Sequence, residues 1–131
     1  MLLEDFGTGK IVECYDPSTD VWTQLAPMAY DHSQFTLTVL GDKLYAAGGF
    51  TQNVECYDPS LNTWTEVASL NVKRISCCVS AYDGKLYAFG GYNVAERHLN
   101  SCECYDAVTN TWSNIAPMQN QRSGTRSAVI G

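Results

Sequence analysis

Leu44-Tyr45-Ala46-Ala47-Gly48-Gly49, then Val54-Glu55-Cys56-Tyr57-Asp58-Pro59, then Thr63-Trp64-Thr65-Glu66-Val67-Ala68: this stretch decides how the chain is read, because it returns. A later copy reads Leu86-Tyr87-Ala88-Phe89-Gly90-Gly91, Cys102-Glu103-Cys104-Tyr105-Asp106 and Thr111-Trp112. An earlier one keeps Val12-Glu13-Cys14-Tyr15-Asp16-Pro17 and Trp22. Tyr15, Tyr57 and Tyr105 are spaced by 42 and then 48 residues, and so are Trp22, Trp64 and Trp112. A period of this size marks a repeat architecture, in which each unit buries its apolar faces against its neighbours.

Each unit reads as four short strands, A to D. In the middle copy these are Phe35 to Leu40, Lys43 to Ala47, Val54 to Tyr57 and Thr63 to Val67. The third copy repeats them at Cys77 to Ala81, Lys85 to Phe89, Cys102 to Tyr105 and Thr111 to Ile115. The runs are rich in β-branched and aromatic residues and are separated by turn residues. Asp16-Pro17-Ser18 and Asp58-Pro59-Ser60 are turn chemistry between C and D, and Gly41-Asp42 and Asp83-Gly84 suit hairpins between A and B. No window sustains a helical period, so the fold class is all-β. The expected units are residues 1–28 (strands B, C and D), 35–68, 76–116, and a final strand A over 125–131.

A four-stranded sheet of this size cannot cover both faces alone. One Tyr and one Trp per copy supply large apolar faces between sheets. Gly48-Gly49 and Gly90-Gly91 allow backbones to approach where a Cβ would clash. Tyr15, Tyr57, Tyr105, Trp22, Trp64, Trp112 and the two diglycines are therefore assigned to the scaffold. The wording L-Y-A-A-G-G…V-E-C-Y-D-P…T-W-T-E-V-A resembles the kelch repeat and covers nearly the whole chain. V-E-C-Y-D-P is similar to the kelch domains of BTB-kelch proteins in particular, which recruit substrates to cullin-based ubiquitin ligases. The resemblance implies propeller blades of four antiparallel strands. It also implies a ring of six blades, of which this chain holds about half.

The ends are less regular. Leu2 to Gly7 aligns with strand B but has Glu4, Asp5 and Phe6 where small residues and the first Gly are expected. Ser127 to Gly131 aligns with strand A, and no strand B follows it. Three readings are open: a truncated product or isoform, a two-chain ring in which Ser127–Gly131 closes the blade begun by Leu2–Gly7, or an excerpt of a longer array. The altered first strand makes the truncated product the expectation, with homodimeric ring closure as the alternative.

The chain has 131 residues and a formal net charge of −6, too little basic character for a nucleic-acid partner. No run of 18 apolar residues occurs, so no transmembrane span is expected. Of six cysteines, Cys14, Cys56 and Cys104 share one repeat position and would lie too far apart to pair. Free thiols point to a reducing cytoplasm or nucleus. No cofactor or metal site is expected: Cys102-Glu103-Cys104 has no partner group, and a copper oxidase would need two His and two Tyr, against only His32 and His98.

In the family this chain resembles, the loops after strands B and D open on one end of the ring. Lys73, Arg74, Arg97, Arg122 and Arg126 fall there, against Asp31 and Glu96. The opposite end carries Asp16, Asp20, Asp42, Asp58, Asp83 and Asp106. His32, Arg74 and Arg122 share one position of the loop after strand D, where the resemblance implies an Arg facing a peptide pocket. An Arg fork suits a carboxylate or phosphate. The same arginines could instead pair with acids or carbonyls and hold the loop. Phe50 and Tyr92 follow the diglycines and could anchor a peptide at the rim; Thr8 stands there in the first copy. Tyr92 to Ser101 holds a six-residue insertion tipped by Arg97 and His98, and loops that vary between repeats carry specificity.

These residues give a protein-interaction module, not an enzyme, that binds an acidic or phosphorylated segment through Arg74, Arg122, His32, Phe50, Tyr92 and Arg97. The resemblance implies the substrate-recognition part of a ubiquitin-ligase adaptor. Cullin contact would need a BTB segment that these residues do not include. An actin-binding scaffold is the alternative, and a kelch-type enzyme the weaker one.

Overall fold

The computed structural model describes residues 2–6 and 10–130, with side chains from Lys10 to Ile130. Gly7, Thr8 and Gly131, used above to align the ends, lie outside the described residues. The first sheet is three-stranded, in the order β1 (Leu2–Phe6), β2 (Ile11–Asp16), β3 (Val21–Gln24). The second is β4 (Phe35–Leu40), β5 (Lys43–Gly48), β6 (Val54–Asp58), β7 (Thr63–Val67). The third contains β8 (Cys78–Tyr82), β9 (Lys85–Phe89), β12 (Cys102–Asp106) and β13 (Thr111–Ile115). All neighbours are antiparallel, and no described residue is helical. The architecture is that of all-β propeller blades. Between the second and third blades the first strands converge, β4 lying against β8.

Within every blade the strand-C tyrosine pairs across the ladder with the strand-D tryptophan: Tyr15 with Trp22, Tyr57 with Trp64, Tyr105 with Trp112. Their ring centroids lie 5.1–5.2 Å apart. The residue five places after each Tyr ends the turn in a left-handed conformation: Asp20 with φ of 56°, Asn62 with 49° and Asn110 with 50°. Short polar side chains tolerate that conformation. The Oδ1 of this residue accepts the tyrosine hydroxyl proton in each blade.

The core lies between blades rather than inside one. Tyr45, Val54, Leu70 and Leu86 from blades two and three cluster with Tyr105 and Trp112. Val12, Met28 and Ala46 form a smaller cluster between blades one and two. The tryptophans also tie blades by hydrogen bonds: Trp64 Nε1 donates to Ala26 O at 2.7 Å and Trp112 Nε1 to Ala68 O at 2.9 Å. Asn62 and Asn110 add a second tie, accepting from the amides of Ala26 and Ala68.

Two expectations change. Residues 125–130 form no strand. A strand A needs a strand B for its ladder, and among the described residues none lies beside them; their contacts to β8 are made by side chains. Thr125 Oγ1 donates to Cys78 Sγ at 3.4 Å, and Ser127 and Ser80 share a hydroxyl contact. The insertion, for its part, is an ordered hairpin, β10 (Tyr92–Asn93) and β11 (Arg97–His98).

The scaffold makes a differential prediction. Trp112 is 7% exposed and Trp22 49%. Trp112→Ala should cost about 3–5 kcal/mol in urea unfolding, in line with other large core truncations, and Trp22→Ala well under half of that. Equal losses would contradict the interblade placement of the core.

Candidate interaction surface

The loops after strands B and D gather at one end of the blades. Each loop after strand D crosses the diglycine of the strand B beside it. Gly49 donates its N–H to Arg74 O at 3.0 Å, and Gly91 to Arg122 O at 2.7 Å. A Cβ on Gly49, whose φ is +84°, would stand 2.6 Å from both His32 O and Ser33 O. The diglycine is the seat of the loop, which explains why it recurs.

Arg74 and His32 do not face this end. Both have no exposed surface. Arg74 Nε donates to Glu103 Oε2 at 2.8 Å, its Nη1 reaches Gly90 O and Ser101 O at 2.8 Å, and its Nη2 reaches Ser101 Oγ at 3.0 Å. Glu103 also accepts the Asn71 amide at 2.7 Å. His32 Nε2 donates to Glu55 Oε2 at 2.8 Å, and Glu55 accepts the amides of Ala29 and Tyr30. The expectation that Arg74 and His32 contact a ligand is therefore corrected: each pins the loop of one blade to strand C of the next. A buried charge demands such a partner. His32 is the weaker pin, because its Nδ1 has no partner among the described residues.

Sequence reasoning misses Glu55 and Glu103. The signal is available: a charged residue recurs inside each strand C, two places before the tyrosine, where neighbours are apolar. Asp20, Asn62 and Asn110 are legible in the same way.

The remaining candidates are accessible. Arg122 is exposed, Phe50 is exposed beside its diglycine, and Tyr92 is half-buried. Arg97 is exposed at the β10–β11 turn with φ of 68°, and its Nη1 lies 3.5 Å from Tyr92 Oη. Tyr92 packs edge-on against His98, with centroids 5.4 Å apart. The structure brings Tyr92 and Arg97 together and keeps Phe50 on the preceding blade.

The hairpin is held from both sides. Asn93 Nδ2 donates to Lys73 O at 3.1 Å, while its Oδ1 accepts the Glu96 amide at 2.7 Å. His98 Nδ1 lies 2.8 Å from Ser123 Oγ on the following loop. An open groove of about 450 Å³ is left between Gln52, Asn71–Lys73 and Asn93–Glu96. Lys73 lines it half-exposed and Val94 is 80% exposed. The end is less basic than expected. Arg74 is neutralised, and Glu66 stands there, hydrogen-bonded to Tyr30 Oη and Asn53 Nδ2. Among the described residues, no three His, Cys, Asp or Glu side chains gather as a metal site.

A model of the kelch motif matches residues 10–29, 32–71 and 73–119. The chain belongs to the kelch-repeat family. Similar curated proteins include an influenza virus NS1A-binding protein homolog of Xenopus laevis, 50% identical over 40 residues, which are 30% of this chain and 6% of that protein. Kelch-like protein 5 of Homo sapiens is 51% identical and kelch-like protein 1 of Mus musculus 49%, each over 39 residues, 30% of this chain and 5% of theirs. The aligned stretches are thus a small part of each relative. Kelch repeats and these relatives support a protein-interaction module.

The Glu55 pin predicts an acid-side stability loss. Burial alone would raise the Glu55 carboxyl, but the His32 ring and the Ala29 and Tyr30 amides outweigh it and hold it below its ordinary value. The Ser60 hydroxyl, the Lys43 ammonium and the Ser60 amide hold Asp58 at about 2. Groups lowered on folding stabilise fully above their unfolded value of about 4 and lose that contribution as pH falls through the folded value. The melting temperature should drop below about pH 4.5, and Glu55→Gln should flatten the drop between about pH 5 and 3. An unchanged slope would remove Glu55 from this role.

Proposed function

We propose that this chain recognises a short acidic or phosphorylated segment of another protein in the groove beneath the β10–β11 hairpin. The observation that carries the reading is the hairpin itself. It departs from the repeat, is tied to the loops on both sides, and leaves a groove with one half-exposed cation, Lys73, and one bare apolar side chain, Val94. Arg97 stands at the hairpin turn, and Tyr92 supports it. An apolar anchor beside a fixed charge is a common basis of peptide recognition. Glu96 on the same wall suits a segment whose acids lie toward Lys73 and Arg97.

Similarity to kelch-like proteins supports placing this recognition within a larger substrate-recruiting adaptor, with any cullin contact made outside these 131 residues. The six free cysteines, five of them buried, suit a reducing cytoplasm or nucleus. Burial pushes the Cys77 thiol up to about 12, so it is an inert packing group.

An array of Asp- and Glu-rich peptides, with and without phosphoserine, tests the reading. Against the best binder, Lys73→Ala with Arg97→Ala should weaken affinity about tenfold or more, roughly 1.4 kcal/mol, at an unchanged circular-dichroism spectrum. Unchanged affinity would take the groove out of recognition.

A further inference from the structure

The groove beneath the hairpin carries two opposite charges that do not pair. Lys73 lines it from the loop after strand D of the second blade, and Glu96 from the hairpin turn of the third. Arg97 is not among the lining residues, so the formal charges of the groove itself cancel. Among the described residues the ion pairs are His32–Glu55, Lys43–Asp58 and Arg74–Glu103; neither Lys73 nor Glu96 takes part in one. Arg97, next in sequence, turns its Nη1 toward Tyr92 Oη rather than toward Glu96. One side chain fixes both walls. Asn93, only 8% exposed, donates from Nδ2 to Lys73 O and accepts the Glu96 amide at Oδ1. The backbone at both charges is thereby tied to a single planar group. The other polar groups of the groove are turned to offer oxygens. Gln52 Nε2 already donates to Leu70 O at 3.0 Å and Asn71 O at 3.4 Å, and Asn71 Nδ2 to Trp112 O at 3.2 Å. Val94 and half-buried Ile75 supply apolar surface.

We infer that the segment bound here is of mixed charge: beside the acid or phosphate that meets Lys73, it carries a lysine or arginine that meets Glu96. This rests on the reading that the groove recognises a peptide, and adds to it a residue class that an acid-only ligand lacks. Three constraints carry it. First, a uniformly acidic segment gains at Lys73 and is repelled at Glu96, whereas a segment with a base opposite Glu96 gains at both. Second, the oxygens of Gln52 and Asn71 call for donors. An extended main chain and a lysine or arginine side chain supply them; a carboxylate does not. Third, the spacing is preset. Asn93 holds both walls before any ligand arrives, so the ordering cost falls mainly on the ligand. An apolar residue between the two ligand charges would meet Val94, two places before Glu96. The groove thus rejects a wholly acidic and a wholly basic segment alike, by repulsion as much as by attraction.

A substitution scan of the acidic peptides tests this. Each array peptide that the native chain binds is resynthesised with Lys, Gln or Glu at every position in turn, and affinities are read by fluorescence anisotropy at low salt. At one position Lys should bind about three- to fivefold more tightly than Gln, the upper range of an exposed ion pair, and Glu should bind more weakly than Gln. Glu96→Gln should erase both differences, and Glu96→Lys should invert them. Glu96 is exposed and its side chain holds no described residue, so both variants should keep the native circular-dichroism spectrum. A native chain in which Lys nowhere exceeds Gln, or a gain that survives Glu96→Gln, would overturn the inference. Its failure is separable from that of the groove. If Lys73→Ala with Arg97→Ala weakens binding while Glu96→Gln alters no preference, the groove stands and the mixed-charge ligand falls. An array without a single binder would overturn both.

Discussion

The structure depends on a charged pair removed from water at the join of two blades. Arg74 and Glu103 have no exposed surface, yet every contact around them is complementary: the acid accepts from the guanidinium and an amide, and the guanidinium directs its remaining donors to Gly90 O, Ser101 O and Ser101 Oγ. Isolated charges at this depth would be costly, and the pair compensates only in this geometry. The pin therefore sets where the loop after strand D crosses strand B, and that crossing forces the diglycine. The Tyr–Trp pair and its Asn or Asp cap perform the corresponding task at the other end of the blade.

The scaffold also limits which charges reach the surface. Arg74 and His32 are consumed by the pins, so the proposed recognition draws instead on Lys73, whose carbonyl the inserted β10–β11 hairpin holds through Asn93, and on Arg97 at the hairpin turn.

Much of the fold is legible because repetition amplifies weak local signals. A single strand such as Lys85–Phe89 is ambiguous alone, but its recurrence at a fixed offset, flanked by Gly-Gly and followed by Glu-Cys-Tyr, is not. The site is less legible. A loop arginine reads as a surface charge unless its partner is known, and Glu103 lies in a different blade from Arg74. Sequence spacing carries no mark of that crossing. The tail differs for a related reason: Ser127–Ile130 has strand character, but a strand is a property of a pair, and among the described residues no partner edge lies beside it. The hairpin escapes sequence reading because two-residue strands in a polar insertion leave no periodicity.

The measurement that tests the central claim most directly is a double-mutant cycle on the pin: urea unfolding of the native chain, Arg74→Leu, Glu103→Leu and the double variant, at one chain concentration. Each single replacement leaves a buried charge unpaired and should cost about 3–5 kcal/mol. The double replacement should cost no more than either single one, since the charge left behind is gone. Single losses below about 1 kcal/mol, or losses that add in the double variant, would mean that the blades are joined by packing alone and that the Arg74–Glu103 pair is incidental to the fold.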